Sequence, residues 1–223
     1  MQKRSIRLGD YDTAAQGLWT LTTLEFPTPD PVTNMIQVPG RITGPLDLST
    51  VLTNGEPRYG SRNLRAVLES SEGNRAARQT RIDEMVNLLH GRRVNIVLPD
   101  YPDHYAVGCL TIRQLYNDLA HASVEVTGVC EPWLYASDET IVTANLTTAA
   151  FTTLRIPNAR KPAVPTVKVT TDTILRWKGA TLNVSSGTFS SLDLILADGE
   201  NTLEARSATQ AGTITITYQE GTL

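Results

Sequence analysis

The side chains of this 223-residue chain that could do chemistry are three histidines, two cysteines and a set of acids. Acid–base or nucleophilic work needs such groups within hydrogen-bond reach of a partner in a protected pocket, and the spacing offers few such partnerships. His90 follows an apolar helical stretch and precedes Gly91, where a polar side chain satisfies terminal carbonyls, so capping is its expected role. Asp100, Asp103 and His104 could be drawn as a cation site. Two acids and one imidazole on a proline-rich turn fall short of the ligand set of a metal centre, and a solvated corner is the expectation. His121 is a lone residue at a strand edge. Glu125 and Glu131 could pair as glycosidase carboxylates, but both lie beside strand residues with no sign of a cleft between them. Cys109 and Cys130 have no neighbours at metal-ligand or redox-motif spacing, and both read as buried structural thiols. No Gly-x-Ser-x-Gly elbow, phosphate-binding loop or His-Glu-x-x-His helix occurs. The expectation is a chain with no catalytic residue, no metal and no cofactor.

The elements around these residues are legible from periodicity. From Ala76 to Leu89, Ile82, Met85, Val86 and Leu89 recur at spacings of three and four, while Arg78, Arg81, Asp83 and Asn87 fall elsewhere; this predicts an amphipathic helix with a glycine stop at Gly91. Arg92 to Leu98 then alternates inward Val94, Ile96 and Leu98 with outward Arg93, Asn95 and Val97, the period of a half-buried strand. Pro99 to His104 reads as a shaped corner before an extended run from Tyr105 to Leu115. Other extended segments of the first part are Leu18 to Leu24, Asn34 to Val38, Asn63 to Glu69 and Ser123 to Cys130. Between Phe26 and Pro57, six prolines and three glycines make a compact globule improbable. That stretch reads as an arm or long hairpin projecting from the body, with a partnerless surface loop as the alternative.

Beyond Tyr135 the texture changes to Thr, Ser and Ala with short alternating strands, which places a domain boundary near Ser137. Val167 and Val169 alternate with Lys168 and Thr170, Leu192, Leu194 and Leu196 with Asp193 and Ile195, and Ile214, Ile216 and Tyr218 with Thr213, Thr215 and Thr217. Turn signals recur at Thr171-Asp172, Lys178-Gly179, Ser186-Gly187, Asp198-Gly199 and Ala211-Gly212, and Asp198-Gly199 is the best candidate for a primed hairpin turn. A small two-sheet sandwich or jelly roll is the natural outcome.

Composition is compatible with one large or two smaller cores, at 40% hydrophobic residues. A net charge of −3, with the 20 Lys and Arg mostly scattered, gives no reason to expect nucleic-acid recognition. No apolar run approaches the roughly 20 residues that span a bilayer, so membrane insertion is not expected. The first residues lack the apolar core of a signal peptide, and the product is expected to stay in the cytoplasm that makes it.

In order along the chain stand Gly17-Leu18-Trp19, Val38-Pro39-Gly40-Arg41, Pro45-Leu46-Asp47-Leu48 and Tyr59-Gly60-Ser61-Arg62. Leu88-Leu89-His90-Gly91, Leu98-Pro99-Asp100-Tyr101-Pro102, Cys130-Glu131-Pro132-Trp133 and a terminal Glu220-Gly221-Thr222-Leu223 follow. In that order and spacing the chain resembles the distal tail proteins of long-tailed (siphovirus-type) bacteriophages over nearly its whole length. The resemblance implies a mainly β fold in which an N-terminal β-rich, ring-forming domain (1–136), with one helix and an arm at about 32–51, is followed by a galectin-like sandwich (137–223).

It further implies a virion structural protein at the distal end of the tail, made in the host cytoplasm. Six copies would close into a hexameric ring that joins the tail tube protein to tail-associated or tail-fibre hub proteins of the baseplate, with receptor-binding proteins as further neighbours. Met35, Ile36, Val38, Leu46 and Leu48 are the apolar residues of the arm and the candidate subunit interface. Galectin-like sandwiches can also bind sugar, and Trp177 is the lone tryptophan of the second part. Its alternation with Leu175 favours the core over a carbohydrate contact. A carbohydrate-binding module for a host wall polymer is the alternative function, and a tail-borne hydrolase using Glu125 or Asp100 ranks last.

Overall fold

A computed structural model describes residues 4–16, 18–39, 44–53 and 55–223; Gly17, Gly40 and Arg41 of the motifs above lie outside them. The chain is mainly β and forms two compact units, residues 1–132 with Leu223, and residues 133–222. The stretch Trp133 to Ala136, just ahead of the boundary drawn from composition, thus sits in the second unit.

The first unit contains β1 (Arg7–Leu8), β2 (Tyr11–Asp12), β3 (Thr20–Glu25), β4 (Met35–Ile36), β5 (Leu46–Asp47), a 3-10 turn (Val51–Thr53), β6 (Arg62–Ser70), α1 (Arg75–Leu89), β7 (Arg93–Leu98), β8 (Tyr101–Asn117) and β9 (Ala122–Cys130). Its main sheet runs β2-β1-β7-β8-β9-β6-β3, each pair antiparallel. Along β6 and β9 the side chains alternate strictly enough to leave one face buried. Leu64, Ala66 and Leu68, with Val124, Val126 and Cys130, are covered, and the helix brings Ile82, Met85 and Leu89 into the same core.

The helix starts where Asn74 accepts a hydrogen bond from the Ala77 amide at 2.9 Å, an N-cap that fills one orphan donor. It ends at His90, and Gly91 takes φ +75°, a conformation that only glycine adopts at little cost. The buried face differs from the one expected. Arg78 is 1% exposed and lies in the core stripe with Ile82, Met85 and Leu89, while Val86 is only half-buried. The corner after β7 is also tighter than expected: Pro99 and Asp100 alone make the turn, Leu98 pairs with Tyr101, and Asp103 and His104 are already in β8.

The second unit has β10 (Leu134–Ala136), β11 (Thr140–Leu146), β12 (Thr152–Asn158), β13 (Thr166–Val169), β14 (Thr173–Trp177), β15 (Ala180–Val184), β16 (Gly187–Ser190), β17 (Gly199–Ser207), β18 (Gly212–Tyr218) and β19 (Gly221–Thr222). Two four-stranded sheets, β11-β18-β13-β16 and β12-β17-β14-β15, enclose one core. Leu154, Ile156, Leu175, Leu203 and Ala205 come from one sheet; Val167, Val169, Ile214, Ile216 and Tyr218 come from the other. The terminal strand β19 pairs with β10.

Two details of this unit depart from the sequence reading. Leu192 to Leu196 is not a strand; it is a turn followed by an isolated bridge from Leu196 to Ala163, which buries Leu194 and Leu196 and leaves Leu192 78% exposed. The primed turn falls at Lys178-Gly179, where both residues have positive φ (48° and 85°) and Trp177 faces Ala180. Asp198-Gly199 is no hairpin, because Gly199 begins β17 opposite Asn158 on the strand β12.

Candidate subunit interface

The connection from β3 to β6 is the arm, and the sheet launches it. Arg62, buried at the start of β6, donates through Nε to the Pro27 carbonyl at 2.9 Å and through Nη2 to the Phe26 carbonyl at 3.4 Å, with its guanidinium 3.9 Å from the Phe26 ring centroid. Burial pulls the Arg62 pKa below the usual guanidinium range. Beyond this clamp the two legs continue as a ladder. Gly60 donates to Asp30 at 2.9 Å, Pro31 bridges Tyr59, and Val32 donates to Arg58 at 2.8 Å. Asn34 accepts from Leu48 and also donates to the Ser49 hydroxyl, and Met35 and Ile36 pair with Asp47 and Leu46. The Asp47 carboxylate accepts from Ser49 and is held below its ordinary pKa by those bonds.

The arm carries its apolar side chains outward. Met35 is 55% exposed, Ile36, Val38 and Leu46 are exposed, and Leu48 is half-buried. A two-stranded hairpin is marginal in water without a further surface to lie on, and contiguous exposed apolar groups mark a contact surface.

The face of the main sheet away from α1 is open. Its rows follow the register: Arg93, Cys109, Val129 and Asn63 form one, and Thr111, Thr127, Arg65 and Glu25 the next. The face is mostly polar, with Arg65 bridging Glu25 and Glu125 at 2.8 Å each. Val129, 61% exposed, interrupts it. There Pro27, Leu64, Cys109, Gly128 and Val129, with polar Glu25, Asn63, Arg65, Thr111 and Thr127, bound an open recess of about 400 Å³.

The residues with chemical potential are dispersed. The Glu125 carboxylate is taken up by Arg65 and that of Glu131 by Arg93, so each acid faces its own arginine. Asp100 pairs with Arg4 at 2.8 Å on the surface, and no group of three or more metal-ligating side chains gathers among the described residues. His90 does not cap carbonyls with its ring: its Nδ1 accepts from the Ile112 amide at 3.1 Å, while its backbone amide donates to Val86. His121 sits in the β8–β9 turn, where its amide donates to Asp118 at 2.7 Å; with the Ala120 amide this lowers the Asp118 pKa. The cysteines divide. Cys130 is buried and desolvation pushes its thiol up to about 11, whereas Cys109, one residue out of phase on the neighbouring strand, is exposed at the recess, against the expectation for both. Trp177 is 4% exposed in the sandwich core and offers no sugar platform.

Pattern reasoning missed two buried cations, Arg62 and Arg78. A charged side chain in an apolar stripe looks like a break in the pattern unless the carbonyls that surround it in space are known.

No family model matches the chain, and no curated protein matches it. Among solved structures, the crystal structure of the Dit (gp 19.1) protein of phage SPP1 superposes with a TM-score of 0.69 at 17% identity, covering 100% of both chains. The chain has the fold of SPP1 Dit. That protein is described as a paradigm of the hub adsorption apparatus in phages infecting Gram-positive bacteria. A designed double-stranded β-helix also aligns, over 36% of this chain at 12% identity and a TM-score of 0.27, too low to bear on the fold.

Proposed function

We propose that this chain is a structural hub subunit of a phage tail tip, six copies of which close into a ring joining the tail tube to the baseplate or host-adsorption apparatus. The observation that carries this reading is the fold likeness to a hub adsorption protein over the full length of both chains. The geometry agrees with the role: a chain that presents a clamped arm with outward apolar side chains needs a neighbour to cover them. Identical subunits that contact head to tail close when their rotation divides a full turn. In this reading the first unit, with its arm, forms the annulus, and the second, galectin-like unit stands as an appendage. The tail tube protein and the hub or receptor-binding proteins of the tip are its neighbours in the virion.

No reaction is assigned to the chain: the candidate acids Glu125, Glu131 and Asp100 are each engaged by an arginine. Electron micrographs and mass photometry of the purified chain test the reading, with hollow six-membered annuli expected. Deleting residues 32–51 is expected to yield folded single copies. Intact rings recovered from that deletion would contradict the role given to the arm.

A further inference from the structure

We propose that the outer face of the sheet β12-β17-β14-β15 holds a carboxylate-binding spot centred on Arg206, which takes one Asp or Glu side chain of a different protein. The inference stands apart from the ring reading above. Along β17, Glu200, Glu204 and Arg206 fall on the outward phase, between the inward Leu203, Ala205 and Ser207. On this face Arg155 lies 3.8 Å from Glu200 and Arg176 lies 3.7 Å from Glu204. Arg206 is the arginine of the face left with no carboxylate of its own among the described residues. Its place is nevertheless built. The Arg206 guanidinium stands 5.0 Å from the Phe151 ring centroid and that of Arg176 stands 3.9 Å from it, while half-buried Ile174 is the cross-strand partner of Arg206. The Arg206 Nε is covered and has no hydrogen-bond partner, so the two terminal nitrogens are what the side chain offers a ligand. A guanidinium laid against an aromatic ring has lost much of its rotamer freedom before it binds, and its planar fork matches a carboxylate.

The chemistry of the partner follows from what the face excludes. The Phe151 ring is already engaged by two guanidinium groups, so it offers no free platform on which a sugar could stack. Arg155, Arg176 and Arg206 against Glu200 and Glu204 leave a single net positive charge, and the two glutamates repel a polyanion such as a nucleic acid or a chain of phosphates. One carboxylate is what the charge balance accepts. Phe151 and Ile174 beside it suit apolar atoms next to that carboxylate, which an acidic residue with an apolar neighbour supplies. Arginine with aromatic residues is also the composition in which protein–protein contacts are enriched.

A random heptapeptide library is panned on the full-length chain, and the recovered peptides are synthesised with a fluorophore. They are expected to share one Asp or Glu beside an apolar residue, and anisotropy titrations are expected to show Kd rising at least fivefold when that acid becomes its amide. The same loss is expected for Arg206→Gln, a smaller one for Arg206→Lys, which keeps the charge without the fork, and none for Arg155→Gln. The amide swap leaves the protein untouched, and Arg206→Lys serves where Arg206→Gln does not fold. Recovery of no peptide, of peptides without a shared acid, or of peptides whose binding ignores either the amide swap or the Arg206 variants overturns the proposal. Binding of oligogalacturonate that Arg206→Gln abolishes, where no peptide is recovered, gives the spot to an acidic saccharide. Self-association in sedimentation runs that Arg206→Gln abolishes gives it to another copy of the chain. Either result overturns the partner proposed, and the first leaves the ring reading untouched.

Discussion

Arg78 shows how one residue can hold a segment chiefly through backbone carbonyls, with the Asp118 carboxylate a lesser, electrostatic neighbour. Its guanidinium donates to Asp118 O at 2.8 Å, to Leu119 O at 3.1 Å and to Gly73 O, and Nε reaches Asn117 Oδ1 at 3.4 Å. Asn117 in turn donates to Arg75 O and Gln79 Oε1, both at 3.1 Å. The helix start is thereby fixed to the β8–β9 turn, whose Leu119 is held 91% exposed. Arg78→Leu removes these charge-assisted bonds from a side chain that is 1% exposed, and a loss of about 2 kcal/mol is expected by urea unfolding. Arg78→Lys recovers only part of it, because a single ammonium lacks the planar fork.

Tyr218 gives a pH signature. Burial first, and the neighbouring Glu220 second, raise its pKa from 10.0 to about 12, and its hydroxyl donates to the Pro157 carbonyl. The folded state keeps this proton while the unfolded chain loses it above pH 10. Its contribution is therefore complete below pH 10 and falls away as pH rises toward 12, at up to about 1.4 kcal/mol per pH unit. Alkaline unfolding curves of Tyr218→Phe are expected to be flatter over that interval than those of the parent.

At the scale of elements, what could be read from sequence was whatever one period determines. β7, β13 and β18 follow their alternations because each buries one face against a core, and a one-residue slip would invert the whole strand; α1 forms where its period places it but buries Arg78 in its stripe and leaves Val86 half-buried. The failures have a common cause in partners distant along the chain. Leu192, Leu194 and Leu196 alternate like a strand, but Leu196 finds only Ala163 to pair with, so the segment bends and buries two of the three. Cys109 reads like an inward strand residue, yet the register opposite Val129 puts it outside. The candidate site was half legible: composition marked the arm's apolar residues, but the recess needs four strands in register before it exists.

The tight turn at Lys178-Gly179 offers a test at this scale. A β-carbon at φ near +50° is strained for lysine but tolerated by asparagine, so Lys178→Asn is expected to stabilise the chain by about 0.5–1 kcal/mol. Gly179→Ala is expected to destabilise it by about 1 kcal/mol or more. Both are checked by the shift in urea midpoint at constant slope.

For the molecule as a whole, stability and association belong together if copies cover each other's arms. Binding that favours the folded form raises the apparent Tm by mass action. The Tm of the intact chain is therefore expected to climb with protein concentration, and that of the chain lacking residues 32–51 to stay constant; calorimetry over a hundredfold dilution separates the two.

The arm's two legs leave from a single rung, Pro31 opposite Tyr59, with Arg62 pinning the carbonyls behind it. Everything past that rung is a cassette. Lengthening it adds little loop-closure entropy, about 0.6 kcal/mol per doubling, and shifts no register in the body. On the ring reading proposed above, exchanging this insert alone would be the way to circles of another circumference, or to mixed circles of two related chains.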